Sequence, residues 1–257
     1  MPNYLTSQGL QQGSLFIHAR PIPEVMHDPL TDPVTKKYLQ LSQEVIKYAS
    51  LNFKMKTGRN YTHFVQLKEP YVTHVVVAAE PDKLEAHLFK YPIFGSLPYR
   101  GYFKKSDALE FAETLKLQGL DVYVRPVSAY SSTGWLPDPV LSSMMRSRVE
   151  LIEVLFHELV HLQFYLPNQA DFNEAFATWF AEKATYEFIK ESSLADAPKA
   201  ELMKNYQEQL AFDQIKFKKS LQAIDLAEAF YKNPQFKNLS QKEKMMARQN
   251  LFSQIKA

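Results

Sequence analysis

The chain has 257 residues, 46% of them apolar, enough for one sizeable domain with helical additions. Its 30 basic and 28 acidic side chains give a net charge of +2, too small to make nucleic acid or an anionic membrane the main partner. The absence of cysteine excludes disulfides, thiolate nucleophiles, Cys-ligated zinc and iron–sulfur clusters together.

No run of about 18 apolar residues occurs, so no transmembrane segment is expected. The start, Met1-Pro2-Asn3-Tyr4, has neither a basic nor an apolar leader region, so the expectation is a protein that is not exported or a trimmed precursor. Residues 5–60 read as helical, broken by Pro21, Pro23, Pro29 and Pro33, after which Thr35 to Phe53 recovers a helical apolar period. Tyr71 to Ala78 is a β-branched run between Pro70 and Pro81, hence a strand, and His87 to Phe94 is a second candidate. Ser106-Asp107-Ala108 opens an amphipathic helix that stops near Gly119, and Val122 to Val127 follows as a strand. From Pro139 onward the pattern is helical, with breaks at Pro167, near Pro198 and at Pro234. The expected fold class is α+β, a small central β-sheet with helical N- and C-terminal regions. One domain is expected over 1–257, with a helical part at 1–60, a core at 61–190 and a second helical part at 191–257.

The chemistry lies between Val149 and Tyr165, where apolar residues recur at helical spacing around His157-Glu158-Leu159-Val160-His161. Residues four apart lie one turn apart on one helix face, so two imidazoles can converge on one metal ion. Glu158, about 100° further round, flanks that ion where a general base for an activated water is needed. A catalytic zinc takes three protein ligands and keeps one position open. Cysteine is absent, no histidine follows His161, and the longer metzincin motif needs a glycine and a histidine where Phe164 and Pro167 stand. A carboxylate is left. Glu174, in Asn173-Glu174-Ala175-Phe176-Ala177-Thr178, is best placed, because Pro167 and Asn168 end the first helix and a second can turn back from near Asp171. Asp171 is the reserve ligand. The competing roles are a capping box between Asp171 and Glu174, and ordinary packing of both histidines on a half-buried helix. Thr178 and Glu182 fall on the face of Glu174 and are the expected partners for the second imidazole nitrogens.

Further segments extend the pattern: His18-Ala19-Arg20-Pro21-Ile22, Pro98-Tyr99-Arg100-Gly101-Tyr102-Phe103, and Ala129-Tyr130-Ser131-Ser132-Thr133-Gly134-Trp135 with Asp138-Pro139. In this order, over roughly residues 4–190, the chain resembles the bacterial "putative aminopeptidase" family of zincin metallopeptidases, and more distantly the gluzincins. The resemblance implies a zincin-like fold with an active-site helix pair and Zn2+ as cofactor. It makes His157, His161 and Glu174 the metal ligands, Glu158 the base, and peptides or proteins the substrates. Two departures stand out. Gluzincins often place an acidic residue where Thr178 stands, and many have a downstream His or Tyr for the oxyanion; here Tyr186, Tyr206 and Tyr231 are left. Members often look like exported or lipid-anchored proteins, so the resemblance implies the bacterial cell envelope or periplasm.

Zincins pair an extended substrate with an edge strand beside the metal. Residues 127–133 are expected to form that edge, with Tyr130 or Arg100 contacting the substrate or the developing oxyanion. The competing role for Arg100 is a structural ion pair. The expected function is a zinc-dependent peptidase, an aminopeptidase by resemblance. The alternatives are a zinc endopeptidase of narrow specificity and a non-catalytic zincin-fold binding or scaffold protein. No motif sets an oligomeric state.

Overall fold

The computed structural model describes Gly13 and residues 17–91, 95–128, 137–191 and 199–256. In chain order they form β1 (Arg20–Pro21), α1 (Ile22–His27), α2 (Pro33–Asn52), β2 (His63–Val65), β3 (Thr73–Ala79), β4 (Phe89–Tyr91), β5 (Gly95–Leu97) and β6 (Tyr99–Tyr102). There follow α3 (Lys105–Leu117), β7 (Asp121–Val127), β8 (Val140–Leu141), a 3-10 turn (Ser142–Met144), α4 (Arg148–Gln163), α5 (Ala170–Glu191), α6 (Lys199–Lys232), α7 (Pro234–Lys237) and α8 (Gln241–Lys256). The fold is α+β. None of the described helices is long and apolar enough to cross a membrane.

Local signals set the helix ends. Asp32 accepts a hydrogen bond from the Thr35 amide with Pro33 in the first turn of α2, and Ser147 accepts one from the Glu150 amide to start α4. Gly119, at φ 87°, lets the chain turn out of α3. The expected single central sheet is divided among the described residues into three small ones: β1-β2-β8, β6-β3-β7 and β4-β5. Val140 and Leu141, in a region that reads as helical, lie parallel to Phe64 and Val65. Two residues carry no period, so only their partner strand defines them.

Three apolar clusters hold the fold. The largest joins α1, α2, β2, β8, α4 and α5, with Leu151, Ile152, Leu155, Phe156 and Leu159 of α4 fully buried in it. The second packs one face of the β6-β3-β7 sheet, through Val76, Ala78 and Tyr102, on Ala108, Ala112 and Leu115 of α3. The third closes the end of α6 against α7 and α8 through Ala227, Tyr231, Phe236 and Leu251. Burial of one side of α4 leaves His157 and His161 turned toward Glu174 of α5.

Candidate metal centre

α4 and α5 are antiparallel, and their turn is fixed by paired hydrogen bonds. Asn173, 2% exposed, accepts from the Leu166 amide at 2.9 Å and donates to the Leu166 carbonyl at 2.8 Å. The Gln163 side chain brackets Lys56 in the same way, at 2.9 and 2.8 Å. In the turn, Asn168 adopts a left-handed φ of 61°, which Asn tolerates better than most residues. Its Oδ1 accepts from the Ser96 amide at 3.1 Å. Gly95 is required beside it, since its φ is 76° and a Cβ there would stand 1.8 Å from Asn168 Oδ1.

The bracket at Asn173 delivers its neighbour Glu174 to the histidines. His157 Nε2 and His161 Nε2 lie 3.2 Å apart. The Glu174 carboxylate stands 3.3 Å from the first and 3.7 Å from the second. Four ligands at about 2.0–2.1 Å around a tetrahedral zinc are separated by about 3.3–3.4 Å. The three donors are therefore already near ligand spacing, and among the described residues they form the one cluster of three such donors.

Charges in the cluster reinforce one another. Burial opposes protonation of His157, but the hydrogen bond to Glu174 and the negative Glu158 and Glu174 carry its pKa above the ordinary value. His161 is shifted down, by burial and by the neighbouring His157. The His157 hydrogen bond holds Glu174 below the usual carboxylate range. Burial pushes Glu158 up to about 7, against the attraction of His157 and with help from Asp138 and Glu174. A carboxylate in such a setting exchanges protons near neutrality.

The opposite wall carries two residues that sequence reasoning passed over as functional. Val77 pairs with both Tyr99 and Tyr123, and Val75 pairs with both Gly101 and Arg125, so these side chains share one face of the sheet. Burial, then the negative charge of Glu174, pushes the Tyr99 phenol up to about 12. Tyr165, after α4, is also raised by burial and by Glu174. The signal for Tyr99 was present in the Pro98 to Phe103 segment, but strand register was needed to choose its face.

A family described as "Putative aminopeptidase" matches the chain over residues 3–257. The chain belongs to that family. No curated protein and no solved structure matches it.

Within this family member, the structure distributes the remaining candidates unevenly. Asp171 lies inside the first turn of α5, exposed and without an ion pair among the described residues, and Glu174 turns to the histidines and not back to Asp171 as the competing capping box would have it. Thr178 is exposed and hydrogen-bonds to neither imidazole; His161 Nδ1 is buried without a partner among the described residues. Glu182 lies near Glu153, whose pKa it raises, and its main-chain carbonyl accepts from the Tyr206 hydroxyl at 2.7 Å. Arg100 points to the other face of the sheet, its guanidinium 4.6 Å from the Phe111 ring, so it packs on α3 by a cation–π contact and not toward the cluster. Tyr130 and most of 127–133 lie outside the described residues. Tyr231 belongs to the third apolar cluster and Tyr186 is exposed on α5. A cavity of about 800 Å³ lies at the opposite end of α4, with Arg148 and Gln209 in its lining, and none of the three donors lines it.

Proposed function

We propose that this protein is a zinc-dependent peptidase whose metal is held by His157, His161 and Glu174. The observation that carries this reading is the convergence of those three donors at 3.2, 3.3 and 3.7 Å. Two neutral imidazoles and a carboxylate suit zinc, and three protein ligands leave the position a hydrolase needs. Zinc supplies Lewis-acid polarisation and a water acidified toward neutrality. Glu158 accepts the proton of the attacking water at a carboxylate oxygen and passes it to the leaving amine. Tyr99, kept protonated by its raised pKa, donates a hydrogen bond to the developing oxyanion. In this reading the fold is zincin-like and residues 1–257 form one domain.

The family description supports aminopeptidase action. An endopeptidase of narrow specificity is the second reading, favoured by the position of β7 at the edge of the β6-β3-β7 sheet. Its outer side has no partner strand among the described residues, and an extended peptide can add there. Comparing N-acetylated with free-amine peptides separates the two.

Glu158→Gln tests the mechanism. We expect stoichiometric zinc by elemental analysis and a fall in turnover of at least about a hundredfold. Unchanged peptidase activity in that variant overturns the assignment. Zinc-free protein after supplementation favours a scaffold role.

A further inference from the structure

The sheet face opposite the helix pair carries a charge that no ion pair engages among the described residues. Its side chains include Val75 and Val77 from β3, Tyr99 and Gly101 from β6, and Asp121, Tyr123 and Arg125 from β7. Two of these are ionic, Asp121 and Arg125. Arg125 is exposed, and neither an ion pair nor a hydrogen bond engages its guanidinium among the described residues. The other charge on β7, Asp121, is taken by Arg248 of α8.

Gly101 stands across β3 from Arg125, and among the described residues no atom lies within 4 Å of where a Cβ on Gly101 would be. On the same strand Tyr99 leads to the metal-site acids Glu174 and Glu158, whose charges it feels. Arg125 in turn acts electrostatically on Glu174. Among the described residues, the face therefore runs from the candidate metal centre, past Gly101, to the Arg125 guanidinium. Acids that could hold a substrate amine are engaged elsewhere: Glu174 by the histidines, Glu158 in the base position, and Asp138 in a site only 1% exposed.

We propose that Arg125 anchors a carboxylate of the peptide substrate, on the β7 side of the cleft. This rests on the peptidase reading above and names its substrate class: short peptides ending in a free carboxylate, or peptides with an acidic side chain at that subsite. A guanidinium holds a carboxylate with two parallel hydrogen bonds, which an amide cannot match.

The test uses the zinc-loaded full chain and matched peptides with a C-terminal acid, a C-terminal amide, and an amide with Glu or Gln near the scissile bond. Wild type is expected to favour carboxylate-bearing peptides about tenfold to a hundredfold, through KM. Preference for the free acid assigns the C-terminus; preference for Glu over Gln in the amides assigns a side chain. Arg125→Met should bring the ratio to about one, and Arg125→Lys should recover part of it. Equal cleavage of acids and amides by wild type, or an equal loss on both in Arg125→Met, overturns the anchor. Failure of the peptidase reading looks different: no peptide is cleaved. The anchor is then read by binding of N-acetylalanine against N-acetylalaninamide to the metal-free protein. A preference for the acid that Arg125→Met removes supports it, and no preference overturns it.

Discussion

His157 and His161 sit one turn apart on a single helix whose other side is sealed by Leu155, Phe156 and Leu159. Tyr99 and Arg125 sit on two different strands, on the half-open face of a three-stranded sheet. The helix pair is bracketed twice by side-chain amides, Asn173 on Leu166 and Gln163 on Lys56. The α4–α5 turn is also tied to β5, the strand just before β6 in the chain, by the Ser96 amide on Asn168 and the close approach of Gly95. Metal geometry tolerates errors of only a few tenths of an ångström, whereas a substrate wall can shift and still bind. In the function proposed above, the two walls would be built to those different tolerances.

If that contrast is right, the largest effect should follow from breaking the bracket on the helix side. Asn173→Ala removes two hydrogen bonds and strands the Leu166 amide and carbonyl, costing about 2–4 kcal/mol in chemical denaturation. It should also weaken zinc binding about tenfold to a hundredfold, because Glu174 loses its register. Zinc affinity equal to wild type would mean that the bracket only stabilises the turn. Gly95→Ala attacks the contact between the α4–α5 turn and β5, the strand that leads into β6 of the other wall. A methyl at φ 76° and 1.8 Å from Asn168 Oδ1 should cost about 1–3 kcal/mol. Its signature should be a raised KM for peptides with zinc affinity unchanged. Loss of zinc from this variant would show that the two walls are not independent.

The same contrast explains what could be read from the sequence. The histidines, Glu158 and the helix break at Pro167 are local features, and spacing on one helix brings His157 and His161 together. Glu174 needed one further step, the assumption of an antiparallel return, which a short turn makes nearly obligatory. Tyr99 and Arg125 are 26 residues apart in the chain and become neighbours only through their pairing with Val77 and Val75. A one-residue slip exchanges the faces of Tyr99 and Arg100, and no motif in the sequence fixes that register. Arg100, expected with Tyr130 as a contact for the substrate or the oxyanion, lies on Phe111. The division into three sheets was hidden for the same reason: strands of two or three residues have pairing partners but no pattern of their own.

The smallest predicted effect lies one turn before the histidines. Glu153 is pushed up to about 7, first by burial and then by Asp213, with a hydrogen bond from Gln209 pulling the other way. In the unfolded chain it titrates near the ordinary 4.5. Below that value both states are protonated and the residue contributes no pH dependence. As the pH rises from about 4.5 to 7 the unfolded state ionises first and binds fewer protons, so ionisation draws the equilibrium toward unfolding. Glu153→Gln removes that penalty and can still accept from Gln209 through its amide oxygen. Allowing for partial exposure, the variant should gain about 1–2 kcal/mol over wild type at pH 8 and nothing at pH 4. Urea denaturation of both proteins across that range measures the difference directly. A gap that is constant with pH would mean that Glu153 titrates alike in the folded and unfolded chain, unshifted by burial. A gap that opens between pH 5 and 7 would make this carboxyl a neutral packing group on the face that carries His157.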